Sequence, residues 1–189
     1  MKHKIKIWTI GHSTRSIDEF VSLLTSFEIQ VLVDVRTFPG SRRYPQFNKE
    51  RLDESLANAG IDYQHFPDLG GRRRAKPDSL NMAWRNESFR GYADYMETDD
   101  FRNGIERLLE IAYARRTVVM CAEAVWWRCH RSLISDYLKV RGTRVVHILD
   151  AGKSEEHPFT SAAQVVDGEL SYRGVLATSG QLFDNDAEG

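Results

Sequence analysis

The sequence predicts an α/β protein with a mostly parallel, Rossmann-like open sheet covered by helices on both faces, and three observations carry that expectation. Strand-like and helix-like patterns alternate along roughly the first 150 residues, the order that a parallel sheet with crossover helices requires. One strand candidate, Gln30–Val35, is an apolar, β-branched run of the kind buried on both faces. The 189 residues, 41% hydrophobic and 28% charged, suit a globular chain able to bury a sizeable core.

Taken in order, Lys4–Ile10 reads as a strand ending in the turn Gly11-His12-Ser13. Ser16 and Glu19 then form a capping-box pattern, and Ile17, Phe20, Val21, Leu24 and Phe27 recur at helical spacing. Gln30–Val35 is a second strand, and Phe38–Pro45 a basic loop rich in turn residues. Asn48 caps a second helix, stapled by Phe47 and Leu52 and ended by Gly60. Ile61–Phe66 is a third strand, and residues 67–80 are irregular around Arg72-Arg-Arg74. Helices are expected over Ser88–Glu97 and Asp100–Ala114, a strand over Thr117–Ala122, a helix over Cys129–Arg141 and a fifth strand over Thr143–Leu149. The organisation is then residues 1–150 as an α/β domain and 151–189 as an acidic C-terminal extension. That extension is partly packed or a short hairpin, with Ala163–Tyr172 turning at Asp167-Gly168.

The net charge of −1 conceals a split, since residues 150–189 sum to −6 and residues 1–149 to +5. A mildly basic body suits an anionic ligand without requiring one, because solvated faces give the same balance. No apolar run approaches the roughly 20 residues of a membrane-spanning helix. Met1–Trp8 lacks the apolar core of a signal peptide. No membrane association is expected, and the expected compartment is the cytoplasm. The only cysteines, Cys121 and Cys129, lie close together. In a reducing compartment such a pair points to chemistry, a metal or redox before a structural staple.

In open α/β sheets the ligand crevice lies beyond the carboxyl ends of the strands. That rule gathers Gly11–Ser13, Asp34 and Arg36, Pro67–Arg74 and Cys121–Glu123 along one edge. Cys129, at a helix start beside Arg128, His130 and Arg131, is placed to be a thiolate nucleophile. Glu123, beside Trp126 and Trp127, is placed as a general acid or base, its acidity weakened if the tryptophans shield it. His12 and Ser13 add a titrating group and a hydroxyl. Arg36, Arg42 and Arg131 are placed to hold phosphate, with Asp34 orienting Arg36, and Tyr44 among the aromatics that stack on a base. Cys121 and His130 complete the ligand-binding set. Each has an ordinary alternative: small buried cysteines, a polar turn at His12, an internal Asp34–Arg36 pair, a solvated Arg72-Arg-Arg74 run.

Spacing removes several sharper readings. A thiol phosphatase or related sulfurtransferase needs arginine six residues after its cysteine, where Trp127 and Ser135 stand instead. Neither G-x-G-x-x-G nor a Walker loop occurs, so no nucleotide-cofactor motif is present and the cofactor is unassigned. There is no C-x-x-C, which weakens a thioredoxin-like role. Cys121, Cys129, His130 and His12 are metal-ligand types, but their spacing fits no standard zinc site, and no metal is expected.

Thr9-Ile-Gly-His-Ser-Thr14, Asp34-Val-Arg36 with Pro39 and Ser41-Arg42, Leu69-Gly-Gly71, Cys121-Ala-Glu123 and Cys129-His-Arg131 follow in that order. Together they resemble the domain-of-unknown-function family 488 over about residues 5–150. The resemblance implies an α/β sheet protein, found as a stand-alone bacterial or archaeal cytoplasmic domain, and supplies no reaction. From residue chemistry, the leading expectation is a hydrolytic enzyme acting on a nucleotide or nucleic acid. A non-catalytic nucleic-acid-binding module and a thiol redox or metal protein using both cysteines are the alternatives.

Overall fold

The computed structural model describes residues 5–174. Its elements are β1 (Lys6–Gly11), α1 (Ile17–Ser26), β2 (Val31–Asp34), α2 (Lys49–Asn58), β3 (Asp62–His65), α3 (Glu87–Met96) and α4 (Asp99–Ala114). There follow β4 (Thr117–Cys121), α5 (Arg131–Val140), β5 (Arg144–Asp150), β6 (Lys153–Glu156), β7 (Gln164–Val166) and β8 (Glu169–Ser171). Six strands form one sheet in the order β3-β2-β4-β1-β5-β6. All its neighbours pair in parallel except β6, which runs antiparallel along β5. The sheet is therefore open and mostly parallel, as the alternating sequence predicts. Its order sets β4 between β2 and β1, where the common dinucleotide-binding order has β2 beside β1.

Alternation along each buried strand divides the core in two. Trp8, Ile10, Leu32, Val118 and Met120 face α1 and α2, meeting Phe20, Leu24, Leu52 and Leu56. Ile7, Val31, Val33, Val119 and Cys121 face α3, α4 and α5, meeting Tyr92, Phe101, Ile105, Leu108 and Leu133. Burying such a side chain contributes about 1.5–3 kcal/mol, so both helical layers are held by the same strands.

The local signals are mostly met. Ser16 and Glu19 make the reciprocal capping box on α1. The hairpin forms as β7–β8, with Asp167 and Gly168 both at positive φ (52° and 82°), as a tight two-residue turn needs. Asn48 does sit at the start of α2, but its Oδ1 accepts from the Ser41 backbone N–H at 2.6 Å and caps nothing. Its side chain is spent on closing the basic loop. α5 starts at Arg131, so Cys129 lies outside the helix, at the end of a short 3₁₀ turn over Trp126–Arg128. β6 was not foreseen. Lys153-Ser-Glu-Glu156 is entirely polar because it is an edge strand facing solvent.

The chain after β5 is tied to α5 through one carboxylate. Asp136, fully buried, accepts from the Thr160 backbone N–H and hydroxyl and from the Tyr172 hydroxyl, and pairs with His157 at 2.9 Å. His157 meets His147 at 2.8 Å, and His147 meets the Thr9 hydroxyl at 2.6 Å. This polar chain runs from the C-terminal segment into the middle of the sheet. Asp184, Asp186 and Glu188 of the expected acidic extension lie outside the described residues. No helix among the described residues is long and apolar enough to cross a membrane.

Candidate functional site

Two connections leave the centre of the sheet in opposite directions. From β1 the chain passes through α1 to β2; from β4 it passes through α5 to β5, on the other face. A crevice opens where such connections diverge, here beyond Gly11 and Cys121, which pair with each other across the β1–β4 ladder. The ladder continues past the strands, with His12 and Ser13 donating backbone N–H groups to the Cys121 and Ala122 carbonyls, both at 3.0 Å. Gly11 has no room for a side chain, since a Cβ there would lie 1.7 Å from the Glu123 carbonyl oxygen. Glycine thus lets the segment after β4 lie flat against the end of β1.

The crevice has a volume of about 310 Å³ and is lined by Arg36, Arg72, Arg128, Glu123, Cys121, Cys129 and His130, with Phe38 and Phe89 at its sides. Its wall thus holds three arginines against one carboxylate. Arg72 stacks over the Phe38 ring at 5.6 Å, and Phe38 itself is 69% exposed. An aromatic face and a cation therefore stand together at the mouth.

The two thiols form the floor. Their Sγ atoms are 2.7 Å apart, and both residues are buried from bulk solvent. Burial alone pushes both thiols up. In Cys129 this is outweighed by the hydrogen bond with Cys121 and by the Arg131 guanidinium, so its acidity is increased. Cys121 goes the other way, pushed well up by burial and by its neighbour. Of the two thiols, Cys129 is the more acidic. Arg131 is 1% exposed, and its partners are neutral: the Thr9 hydroxyl at 3.3 Å and the Glu123 carbonyl at 2.8 Å. Among the described residues its Nε has no partner and no carboxylate pairs with it, so a buried cation stands behind the thiols. Alkylation of Cys129 by iodoacetamide is expected to rise with pH with its midpoint near about 7. An ordinary thiol has its midpoint nearer about 8.5, and a midpoint there would show that Arg131 does not act on this sulfur.

The remaining groups are distributed less simply. Asp34 and Arg36 form an internal pair: Asp34 accepts from Arg36 Nη2 at 2.6 Å and from Nε at 2.9 Å, and also from the Tyr63 hydroxyl at 2.7 Å. Arg36 Nη2 donates further to the Phe47 carbonyl at 2.8 Å. Only Nη1, 3.4 Å from His12 Nε2, has capacity to spare for the crevice. His12 is buried, stacked on Phe47 at 4.2 Å. Burial, joined by the Arg36 charge, lowers its pKa to about 4, so it is neutral at pH 7. His130 is also lowered by burial, and contacts Cys129 Sγ through Nδ1 at 3.4 Å. Gly71 leaves space for that ring, since a Cβ there would lie 2.3 Å from Nδ1.

Of the residues expected at the site, Arg36, Cys121, Glu123, Cys129 and His130 come together on the crevice wall. His12, Asp34 and Arg131 stand behind it as buried supports. Ser13, Arg42 and Tyr44 are not among the lining residues: Arg42 is exposed on the basic loop, and Tyr44 meets the edge of His12 at 6.4 Å. Glu123 is exposed at the rim, and Trp126 turns away to stack on His147 at 4.5 Å. The expected shielding of that carboxylate by tryptophans is therefore not what the fold provides. Phe89 is a lining residue that sequence reasoning left out; Arg128 was named only as a neighbour of Cys129, and Arg72 only within a run that reads either as a phosphate-contacting patch or as solvated. For Arg72 the flanking glycines were a signal; for Phe89, on α3, there was none. Among the described residues no group of three or more His, Cys, Asp and Glu side chains is gathered as for a metal.

Residues 16–138 match the family model described as Domain of unknown function DUF488, and the chain belongs to that family. No curated protein and no solved structure matches the chain.

Proposed function

We propose that this member of the DUF488 family is an enzyme that binds a phosphate-bearing ligand, a nucleotide or nucleic acid, in the crevice and acts on it hydrolytically with Cys129 as nucleophile. The observation that carries the reading is the meeting of an acidified thiol with three arginines at the strand ends. Arg72, Arg128 and the free Nη1 of Arg36 neutralise the anion, in the way guanidinium groups bind phosphate. Phe38 and Phe89 offer faces for a base. The Cys129 thiolate attacks an electrophilic centre beside the bound anion and displaces a leaving group. Glu123, at the rim where water enters, takes a proton from the water that releases the product. Buried Arg131 favours the charged sulfur, and neutral His12 holds Arg36 without competing for the anion.

The test is a panel of nucleotides and short oligonucleotides assayed for binding and turnover. Arg72→Ala with Arg128→Ala is expected to weaken binding by about tenfold or more, and to reduce its salt dependence. Cys129→Ser is expected to retain binding and to lose turnover by about 10³-fold or more, and Glu123→Gln to slow product release. Wild-type turnover in Cys129→Ser would exclude the nucleophile. Salt-dependent binding with no turnover in the wild type would make the protein a binding module instead.

A further inference from the structure

We propose that Cys121 and Cys129 interconvert with a disulfide that switches the crevice off, and that the oxidant it answers is a small carboxylate-bearing disulfide. This rests on the preceding reading for the crevice and its attacking thiolate, and adds the regulation of that same sulfur.

The geometry is already close to that of the bond. The sulfurs stand 2.7 Å apart, and a disulfide is about 2.04 Å, so each must move by only a fraction of an ångström. Both backbones are anchored. Cys121 is held by its pairing with Gly11 in the centre of the sheet, and Cys129 by its N–H to the Trp126 carbonyl and its own carbonyl to the Ser132 hydroxyl. Both cysteines line the same cavity and their sulfurs touch, so a molecule that reaches one is within reach of the other. No other cysteine exists in the chain to compete as partner. The roles are unequal, since Cys129 adjoins the buried Arg131 cation, whereas Cys121 ends a buried strand. The arginine wall selects the oxidant, because it attracts a disulfide bearing carboxylates and repels one bearing ammonium groups.

The step balances without a further reagent. The Cys129 thiolate attacks one sulfur of R–S–S–R, the S–S bond breaks, and one RS⁻ leaves and takes up a proton from solvent. Cys121 then loses its proton and attacks the Cys129 sulfur of the mixed disulfide. The second RS⁻ leaves with that proton, and the Cys121–Cys129 bond forms. Two cysteines are oxidised and one disulfide is reduced to two thiols. The nucleophile is then covalently occupied until a dithiol reduces the bond.

The test uses the full-length, reduced protein with oxidised glutathione as the anionic disulfide and cystamine as the cationic one. Free thiols are counted, and adducts are read by intact mass. Oxidised glutathione is expected to remove both thiols and leave no adduct. It should act faster than cystamine by about tenfold or more, and Arg72→Ala with Arg128→Ala should narrow that difference. Cys121→Ser, with Cys121→Ala as a second variant and circular dichroism to confirm the fold of each, is expected to stop at the mixed disulfide on Cys129. A stable adduct in the wild type, unchanged reaction of Cys129→Ser, or equal rates with both disulfides would overturn the proposal. So would nucleotide turnover that survives full oxidation of the pair. Thiol counting uses no nucleotide, so disulfide formation in a protein without turnover would fault the hydrolytic reading and leave the redox pair standing.

Discussion

Asp34→Ala is expected to destabilise the protein by about 3–5 kcal/mol, the cost of leaving one member of a buried ion pair alone. Asp34 is fully buried, and its carboxylate is the main anchor of the Arg36 guanidinium while also receiving the Tyr63 hydroxyl. Removing it leaves a buried cation facing neutral His12 and the Phe47 carbonyl. The loss should be read from urea unfolding as a lower midpoint at unchanged slope. Asp34→Leu combined with Arg36→Met should recover a large part of the stability, because an apolar pair of similar volume avoids the stranded charge. Full recovery of ligand binding in that double variant would contradict the role given to Arg36. Stability of the single variant within about 1 kcal/mol of wild type would show that the pair is hydrated rather than buried.

Asp136→Ala is the second large effect. Its carboxylate is the common acceptor for His157, Thr160 and Tyr172, three residues of the segment beyond β5. Each orphaned buried donor costs about 1–3 kcal/mol, and several are orphaned at once, so a loss of about 4 kcal/mol or more is expected. The effect should also be regional. Hydrogen exchange should accelerate across β6, β7 and β8 more than across β2 and β3, which make none of these bonds. A uniform change over the whole sheet would mean that the C-terminal segment is not held through this carboxylate. Because His157 leads through His147 and Thr9 to Arg131, the same variant should also shift the pH at which Cys129 is alkylated.

β2 and β4 were legible because burial on both faces forces apolar, β-branched runs, as in Val31-Leu-Val33 and Val118-Val-Met120; β3, Asp62-Tyr-Gln-His65 at the sheet edge, carries no such run. The α1 start was legible because a capping box is chemically specific. β6 was not, because an edge strand needs neither apolar residues nor alternation and its sequence resembles a loop. At the site, the strand-end rule placed Arg36, Cys121 and Glu123 on the crevice wall. What it left open was how each polar group spends its hydrogen bonds. Asp34 and Arg36 satisfy each other, Asn48 satisfies Ser41, and Arg131 turns inward to Thr9. Arg42, of the same residue type, stays in solvent. Residue type states what a side chain is able to bind; only the packed fold states what it has already bound. The proximity of the thiols was likewise hidden, since a strand end and a helix start eight positions apart can fold toward or away from each other.

The place of β1 has a bearing on how the protein comes into being. Its register joins Ile7 to Thr117 on one side and to Val145 on the other, so β1 is synthesised more than 100 residues before either neighbour. Until β4 and β5 have been synthesised, Ile7, Trp8 and Ile10 have no sheet to enter and remain a sticky apolar segment of the kind that chaperones shield. Such distant pairing makes for slow folding. The crevice is finished late for the same reason, because Gly11 seals the loop after Cys121 only when β1 slots home. A nascent chain would then carry both cysteines without the arginine and strand contacts that give them their separate characters.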